Sequence, residues 1–271
     1  MPSLPDHCEA VVVGGGVIGA SVAYHLADAG ITDVVLLERK ELTSGTTWHA
    51  AGLVGQLRTS MNMTKLARYT SELYRNLERE TGQATGYKQS GSISIAATPE
   101  RFEELKRSAS MAKVFDLEVN VLSIPEVRER YPLIETDDLC GAIHIPSDGY
   151  GNAVDITQAL AKGARNRGVQ IFTQTKVEEI LHGGGKITGI RTDRGDIEAR
   201  YVVICGGMWS RDLAASVGVN LPLHACEHYY VLFESVAGLS PDLPVLRDYD
   251  ACTYFKYDAG KLLVGAFEPN A

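Results

Sequence analysis

The sequence has no run of basic residues and no long apolar segment. It contains 26 Lys and Arg residues against 34 Asp and Glu residues, a formal net charge of −8 over 271 residues. Because the basic side chains are not clustered, the electrostatic footprint of a nucleic-acid or anionic-membrane partner is missing. The longest apolar stretch, residues 10–23, is too short to cross a bilayer and includes four glycines. We therefore expect no nucleic-acid partner and no membrane span.

Paired cysteines are also lacking. The five cysteines are scattered, odd in number and without a C-x-x-C motif (Cys8, Cys140, Cys205, Cys226 and Cys252). This distribution favours neither a disulfide framework nor a zinc site, and we expect no metal site. The first nine residues carry no Lys or Arg, unlike a secretory or transit sequence. We expect a reduced, soluble protein of the bacterial cytoplasm, or of the mitochondrial matrix if the source is eukaryotic.

A glycine-rich turn near the start carries the first functional signal. Residues 9–13 are rich in β-branched side chains and predict a buried strand, and residues 20–29 have helical spacing. Between them, Gly14, Gly16 and Gly19 form the pattern G-x-G-x-x-G. A second predicted strand, residues 33–38, ends in Glu38, which is placed to bind ribose hydroxyls. This βαβ unit predicts a dinucleotide site, and Glu38 disfavours NADP because it would repel the 2′-phosphate.

The rest of the chain indicates two interleaved domains. Strands of the buried, parallel type recur at 169–173 and 201–205. The strands predicted at 228–233, 252–257 and 261–267 are longer and of a different type. We expect an α/β fold in which a Rossmann-like nucleotide-binding domain is interrupted by an α+β substrate domain with an antiparallel sheet. The nucleotide-binding domain would comprise residues 1–58 and 145–220, and the substrate domain residues 59–144 and 221–271.

The loop after the second strand points to a family. Residues 42–53 read LTSGTTWHAAGL, which resembles the signature of the sarcosine and dimethylglycine dehydrogenases. These are flavoproteins of the D-amino-acid-oxidase superfamily. Further blocks shared with that family lie at residues 80–82, 86–87, 91–93, 131–133, 148–149, 244–248 and 265–268. The resemblance covers essentially the whole chain. It implies that the nucleotide-binding domain is an FAD-binding domain and that the substrate is a small N-methylated amino acid oxidised at its C–N bond. Another secondary amine or amino acid is the alternative substrate.

The same resemblance implies a covalent flavin. In that family the histidine of the Trp-His-Ala-Ala-Gly block is bonded to the 8α-methyl group of FAD, and His49 occupies this position. A neutral imidazole is a good nucleophile, and the small residues that follow would let an isoalloxazine ring lie against the backbone. The alternative is a loop histidine that only hydrogen-bonds its neighbours.

Further FAD contacts follow position by position from the resemblance. They are Gly14, Gly16, Val17, Ile18 and Gly19 at the phosphate turn; Glu38 and Arg39 at the ribose; Gly45, Thr46, Thr47, Trp48, His49, Ala50, Ala51, Gly52 and Leu53 around the flavin; Val177 at the adenine; and Trp209 after the later parallel strand. For Trp209 the alternative is a plain core residue.

Two residues match the family's catalytic positions. His228 corresponds to a histidine that begins a substrate-domain strand, and Tyr254 to a tyrosine that faces the flavin from the next strand. An amine must lose its ammonium proton before it can deliver a hydride, and either side chain could accept that proton. The alternative is that both are ordinary polar residues of the sheet. Phe255 and Lys256 stand where the family has Leu or Tyr followed by Arg, so the group that binds the substrate carboxylate stays open.

A non-catalytic relative is the second functional class. Residues 221–228 resemble the regulatory subunit of pyruvate dehydrogenase phosphatase, which lacks the Trp-His pair in its flavin loop. Trp48 and His49 therefore favour the enzyme. Related enzymes continue with a last flavin-contacting strand and helix and then a folate-binding domain, so the sequence resembles an N-terminal fragment with both domains incomplete. We expect these 271 residues alone to be poorly stable and inactive, and tetrahydrofolate to act only through that further domain. The electron acceptor is not indicated.

Overall fold

A computed structural model describes residues 2–267. Within that range the α-helices are α1 (Val17–Asp28), α2 (Met61–Thr81), α3 (Pro99–Ala112), α4 (Ile124–Arg130), α5 (Ala153–Asn166) and α6 (Ser210–Ala215). The strands are β1 (His7–Val13), β2 (Val34–Leu37), β3 (Leu53–Val54), β4 (Ser92–Ala96), β5 (Asn120–Leu122), β6 (Gly141–Ile145), β7 (Gly149–Tyr150), β8 (Gln170–Phe172), β9 (Val177–Gly183), β10 (Lys186–Thr192), β11 (Gly195–Ile204), β12 (Tyr230–Phe233), β13 (Val245–Asp248), β14 (Thr253–Asp258) and β15 (Lys261–Ala266). Short 3₁₀ turns lie at Thr46–His49, Lys113–Phe115 and Gly207–Trp209.

The chain packs as two compact units. Unit 1 consists of the described residues of Met1–Ala50, Asn76–Thr85 and Ala153–Ala225, and unit 2 of those of Ala51–Arg75, Gly86–Asn152 and Cys226–Ala271. The α2 helix contributes to both units. The assignment of one domain to FAD and the other to substrate stays a prediction, because packing alone defines these units.

Unit 1 is built on a six-stranded sheet in the order β8-β2-β1-β11-β10-β9. The first four strands are parallel, and β9, β10 and β11 form an antiparallel meander. Ala20 and Ala23 of α1 are fully buried, because small side chains let this helix approach the sheet closely. A helical crossover between parallel strands is typical of Rossmann-like folds, and the expected α/β class is confirmed.

A polar cluster ties the helices of unit 1 together. The Tyr24 hydroxyl on α1 donates to the Glu80 carboxylate at 2.8 Å, and Arg167 beyond α5 binds the same carboxylate at 2.7 Å. Burial and the Glu80 carboxylate raise the pKa of Tyr24. Gly163 of α5 fits against the Tyr24 ring, where an added Cβ would lie only 2.7 Å from the ring edge.

Unit 2 is built on a seven-stranded sheet in the order β12-β15-β14-β13-β4-β6-β5. The sheet is antiparallel as expected, except that β4 and β13 at its centre pair in parallel. Residues 258–260, between the strands expected at 252–257 and 261–267, predict a hairpin turn. The hairpin between β14 and β15 forms there, with φ angles of 49° at Ala259 and 87° at Gly260. Pairing with β15 runs out at Tyr229, so β12 begins at Tyr230 and not at His228 as predicted. The short β3 and β7 form a separate antiparallel pair.

The two faces of this sheet are covered differently. On one face Ile93, Leu246 and Phe255 pack with α4 residue Val127. On the other face α3 covers Ala96 and Ile143, at the end near β4 and β6. The half of this second face formed by β13, β14 and β15 combines the side chains of Arg247, Tyr254 and Lys256 with buried apolar residues such as Leu263.

Residues 2–267 contain neither a candidate membrane helix nor a candidate metal cluster. No helix there combines the length and apolar character needed to span a bilayer. Within the same residues, no three His, Cys, Asp or Glu side chains cluster as metal ligands.

Candidate functional site

The glycine-rich turn of unit 1 brings three strand ends together. Gly14 has a φ of 115° and donates its N–H to the Leu37 carbonyl at 2.8 Å. A Cβ on Gly14 would overlap the Cys205 carbonyl, and a Cβ on Gly19 would overlap the Gly14 carbonyl. These two glycines therefore allow the turn and the close approach of α1 to β1.

Gly16 serves a different purpose, because its backbone conformation suits any residue. It is the N-cap of α1 and makes no side-chain cap hydrogen bond. A Cβ there would come within 4 Å of Thr47 Oγ1 alone, at 2.9 Å. The turn therefore leaves an open cradle at a helix N-terminus, which fits the pyrophosphate of FAD. Thr47 Oγ1 accepts the Val17 N–H at 3.0 Å and fixes the predicted flavin loop beside this cradle.

The Glu38 carboxylate is held by the backbone around the turn. It accepts the Gly15 N–H at 2.7 Å and the Lys40 N–H at 2.9 Å, one on each oxygen. Each oxygen keeps a lone pair for a further donor such as a ribose hydroxyl. The Glu38 carbonyl accepts the Thr175 N–H at 2.9 Å, two residues before Val177, so the residues predicted at the ribose and adenine lie near one another.

Arg39, Gly45 and Trp209 meet on the surface of unit 1. The Arg39 guanidinium lies 4.0 Å above the Trp209 ring, and a Cβ on Gly45 would lie 3.5 Å from that ring. Trp209 is 42% exposed, so it is not a plain core residue. The structure thus joins three of the predicted cofactor contacts.

Trp48 and His49 close the 3₁₀ turn of the flavin loop. Their ring centroids are 3.8 Å apart at an angle of 38°, and both side chains are exposed. Among residues 2–267 no hydrogen bond or ion pair engages the His49 ring. The imidazole is therefore available to another group. Ala51, Gly52 and Leu53, the last part of the predicted flavin segment, belong to unit 2.

In unit 2, the two predicted catalytic residues belong to one aromatic cluster. Tyr254 is buried on β14, and its ring lies over Gly265 of β15, where a Cβ would overlap the ring. The Phe267 ring lies 5.1 Å from the Tyr254 ring and 6.0 Å from the His228 ring, centroid to centroid. Phe267 therefore links His228 to Tyr254, a role that the sequence analysis did not identify.

The lysine that stands where the family has an arginine is already engaged in an ion pair. Lys256 is 4% exposed, and its Nζ lies 3.0 Å from Asp258 Oδ1 and 5.4 Å from the centre of the Tyr150 ring. A buried ammonium group that is already paired is poorly placed to bind a substrate carboxylate.

The sequence did not single out the buried carboxylate of Asp148, although residues 148–149 stand in a block shared with the family. Asp148 is 1% exposed, and it accepts the Ser92 hydroxyl at 2.7 Å and the Gln56 N–H at 2.8 Å. Burial raises the pKa of Asp148, against the opposing effects of Ser92 and Arg247. Arg58 and Arg247 lie near this group.

Comparison with known proteins agrees with this arrangement. Residues 9–271 match the family described as FAD dependent oxidoreductase (DAO). The chain is 43% identical over 267 residues to 4-methylaminobutanoate oxidase (formaldehyde-forming) of Paenarthrobacter nicotinovorans. It is 40% identical over 271 residues to the mitochondrial pyruvate dehydrogenase phosphatase regulatory subunit of Mus musculus, and 39% identical over 273 residues to the mitochondrial sarcosine dehydrogenase of Homo sapiens.

The lengths differ. These matches cover 98%, 99% and 98% of this chain but only 32%, 31% and 30% of the relatives, so the chain spans about a third of their length. Among solved structures, glycine oxidase from Geobacillus kaustophilus superposes with a TM-score of 0.84 at 29% identity, covering 97% of this chain and 72% of that one. Sequence, fold and the geometry of the glycine-rich turn agree, and the chain belongs to the FAD-dependent oxidoreductase (DAO) family.

Proposed function

We propose that this chain belongs to an enzyme that oxidises the C–N bond of a small N-methylated amino acid, of the sarcosine or dimethylglycine type, with FAD bonded to His49. The observation that carries the proposal is the exposed Trp48–His49 pair on a turn fixed to the phosphate cradle by Thr47. Bound FAD would supply the hydride acceptor. The 43% identity to an oxidase named for 4-methylaminobutanoate supports the substrate class.

In this account unit 1 is the FAD-binding domain. The N-terminus of α1 binds the pyrophosphate through backbone N–H groups and the helix dipole, since Gly16 has no side chain to fill the cradle. Glu38 accepts ribose hydroxyls with its remaining lone pairs. The stacked Arg39 and Trp209 form a wall beside the loop.

His49 anchors the flavin through a ring nitrogen. The neighbouring Trp48 ring, with its centroid 3.8 Å away, restricts the imidazole, and no described partner competes for the ring nitrogens. Restricting a nucleophile lowers the entropic cost of bond formation. A covalent bond would also keep the cofactor from dissociating.

Unit 2 supplies the substrate side. His228 accepts the ammonium proton of the substrate as a general base. Tyr254 orients the amine from the neighbouring strand, and Phe267 keeps the two side chains in one cluster. Hydrolysis of the oxidised substrate would release its methyl carbon as formaldehyde, which is the product in the name of the Paenarthrobacter oxidase.

A regulatory role is the second candidate. The 40% identity to the phosphatase regulatory subunit favours it, and so does the likeness of residues 221–228. The Trp48–His49 pair favours the enzyme, because the family resemblance implies that the regulatory subunit lacks such a pair.

The test is substrate oxidation by the protein expressed from its complete coding sequence. Purified protein is mixed with a redox dye and with sarcosine, dimethylglycine or 4-methylaminobutanoate, and dye reduction and formaldehyde are measured. The dye stands in for the natural electron acceptor, and glycine serves as the unmethylated control. The proposal predicts formaldehyde in step with dye reduction for at least one methylated substrate and none with glycine. A protein that reduces no dye with any of them would favour the regulatory role.

A further inference from the structure

Two arginines of unit 2 come close together from distant parts of the sequence. Arg247 is half-buried on β13, and its guanidinium lies against Gly55, where an added Cβ would be 2.7 Å from Arg247 Nη2. Arg58 follows three residues later and is also half-buried. Thr64 fixes its backbone, because the Thr64 hydroxyl bonds both the Arg58 N–H at 3.1 Å and its carbonyl at 3.2 Å.

The two guanidinium groups share one nearby carboxylate, Asp148. In the described part of the chain no carboxylate lies within 4.0 Å of either, and Arg58 donates only to the Leu57 carbonyl, at 3.1 Å. Asp148 is close enough to act electrostatically on both, although its own hydrogen-bond donors are Ser92 and Gln56. Burial and the charge of Arg247 lower the pKa of Arg58. Two positive charges and one negative charge leave an excess of +1 in a half-buried place, which an anion would relieve.

Arg58 also lines a pocket of suitable size. The pocket has a volume of about 240 Å³ between β3 and α2. Leu53, Val54, Met63 and Tyr74 are among its lining residues, and Arg58 is the charged one. An apolar wall with one guanidinium suits a small aliphatic molecule that carries a carboxylate.

Arg247 shares a face of the sheet with the predicted catalytic tyrosine. In the antiparallel ladder Arg247 pairs directly with Tyr254, and such partners have Cβ atoms about 4.5–5.5 Å apart. Lys256 lies on β14 two residues after Tyr254, but its ammonium group is already paired with Asp258.

We propose that Arg58 and Arg247, and not Lys256, bind the carboxylate of the substrate and select N-methylated amino acids over simple N-methylamines. This inference rests on the function proposed above. Guanidinium groups match a carboxylate with paired N–H donors, and charge-assisted hydrogen bonds are the strong ones. Both arginines bind and orient the substrate through its carboxylate, and other side chains carry out the proton transfer.

The first test compares sarcosine with sarcosinamide, which has no carboxylate. Steady-state kinetics are measured for the wild type, Arg58→Met, Arg247→Met and Arg247→Lys, with Arg107→Met on the exposed side of α3 as the matched control. We expect KM for sarcosine to rise roughly 10- to 100-fold in each methionine variant, with kcat changed far less. KM for sarcosinamide should change less than about twofold, and Arg247→Lys should be intermediate. Equal losses for both substrates would overturn the proposal.

The second test does not require turnover. The melting temperature is measured with acetate or butyrate against chloride at equal ionic strength. We expect the carboxylates to raise Tm in the wild type and in Arg107→Met but not in the Arg58→Met/Arg247→Met double variant. Stabilisation that survives in the double variant, or that phosphate produces better than acetate, would overturn the inference. A protein that oxidises no N-methylated substrate yet shows this carboxylate effect would refute the proposed function and leave the arginine site standing.

Discussion

Arg247 on β13 lies directly opposite Tyr254 on β14, so the two side chains leave the same face of the unit 2 sheet. The α3 helix covers this face only toward β4 and β6, where it packs on Ala96 and Ile143. The other half of this face carries Arg247 and Tyr254 beside buried Val245 and Leu263. The proposed substrate site belongs to that second half, because Arg247 and Tyr254 both lie there.

The glycine-rich turn predicts two different kinds of variant. Gly19→Ala should lower the free energy of unfolding by about 3 kcal/mol or more, because its Cβ would overlap the Gly14 carbonyl and force the backbone apart. Gly16→Ala should cost much less stability, because only Thr47 Oγ1 lies close to the added Cβ, but it should lower flavin content because that Cβ would enter the cradle. Urea unfolding and flavin absorbance measure the two effects. Gly183→Ala, with open space around it, is the control, and a Gly19→Ala as stable as that control would contradict the packing.

The contact between Tyr254 and Gly265 predicts a strong coupling. Gly265→Ala should destabilise the wild type, because its Cβ would occupy the space of the Tyr254 ring. In a Tyr254→Ala background the same change should cost little, since that space is then empty. A double-mutant cycle by urea unfolding should give a coupling above about 1 kcal/mol. Additive effects would show that the ring does not lie over Gly265.

The buried Cys8 and the half-buried Cys205 should react slowly. Burial raises the pKa of both the Cys8 and the Cys205 thiols to about 11, and only the thiolate is alkylated. At pH 8 roughly one molecule in 1,000 then carries either thiolate. Timed iodoacetamide labelling with mass spectrometry should therefore modify the exposed Cys140 and Cys226 first. Labelling of Cys205 as fast in native protein as in urea would contradict its burial.

His144 should make the stability depend on pH. Burial, and next the Arg130 charge, lower the pKa of this imidazole, whose Nδ1 has no hydrogen-bond partner. Since the folded pKa is below the unfolded value of about 6.5, the stabilisation is complete above that pH. It is lost as the pH falls through the folded pKa, because the unfolded chain binds the proton first. Urea unfolding from pH 8 to pH 5 should show this fall, and His144→Leu should reduce it; the exposed His224→Leu is the control.

The elements that the sequence predicted well are local ones. The βαβ unit occupies one continuous stretch, so strand composition, glycine spacing and the terminal acid all indicate the same structure. The β14–β15 hairpin likewise depends on Ala259 and Gly260, neighbours in the chain.

The features that the sequence did not predict are non-local. The parallel pairing of β4 with β13 joins segments far apart in the chain, and it places Arg247 beside Ser94. Nothing in the local pattern around Arg58 or Arg247 indicates that they approach each other. The burial of Lys256 against Tyr150 likewise depends on the arrangement of the strands.

The proposed covalent bond between His49 and the flavin is tested most directly by denaturing the protein. Wild-type protein from its complete coding sequence, His49→Ala and the control His224→Ala are precipitated with acid, and flavin fluorescence is measured in pellet and supernatant. The account predicts fluorescence in the pellet for the wild type and for His224→Ala, and none in the pellet for His49→Ala. Flavin released into the wild-type supernatant, or retained in the His49→Ala pellet, would contradict it.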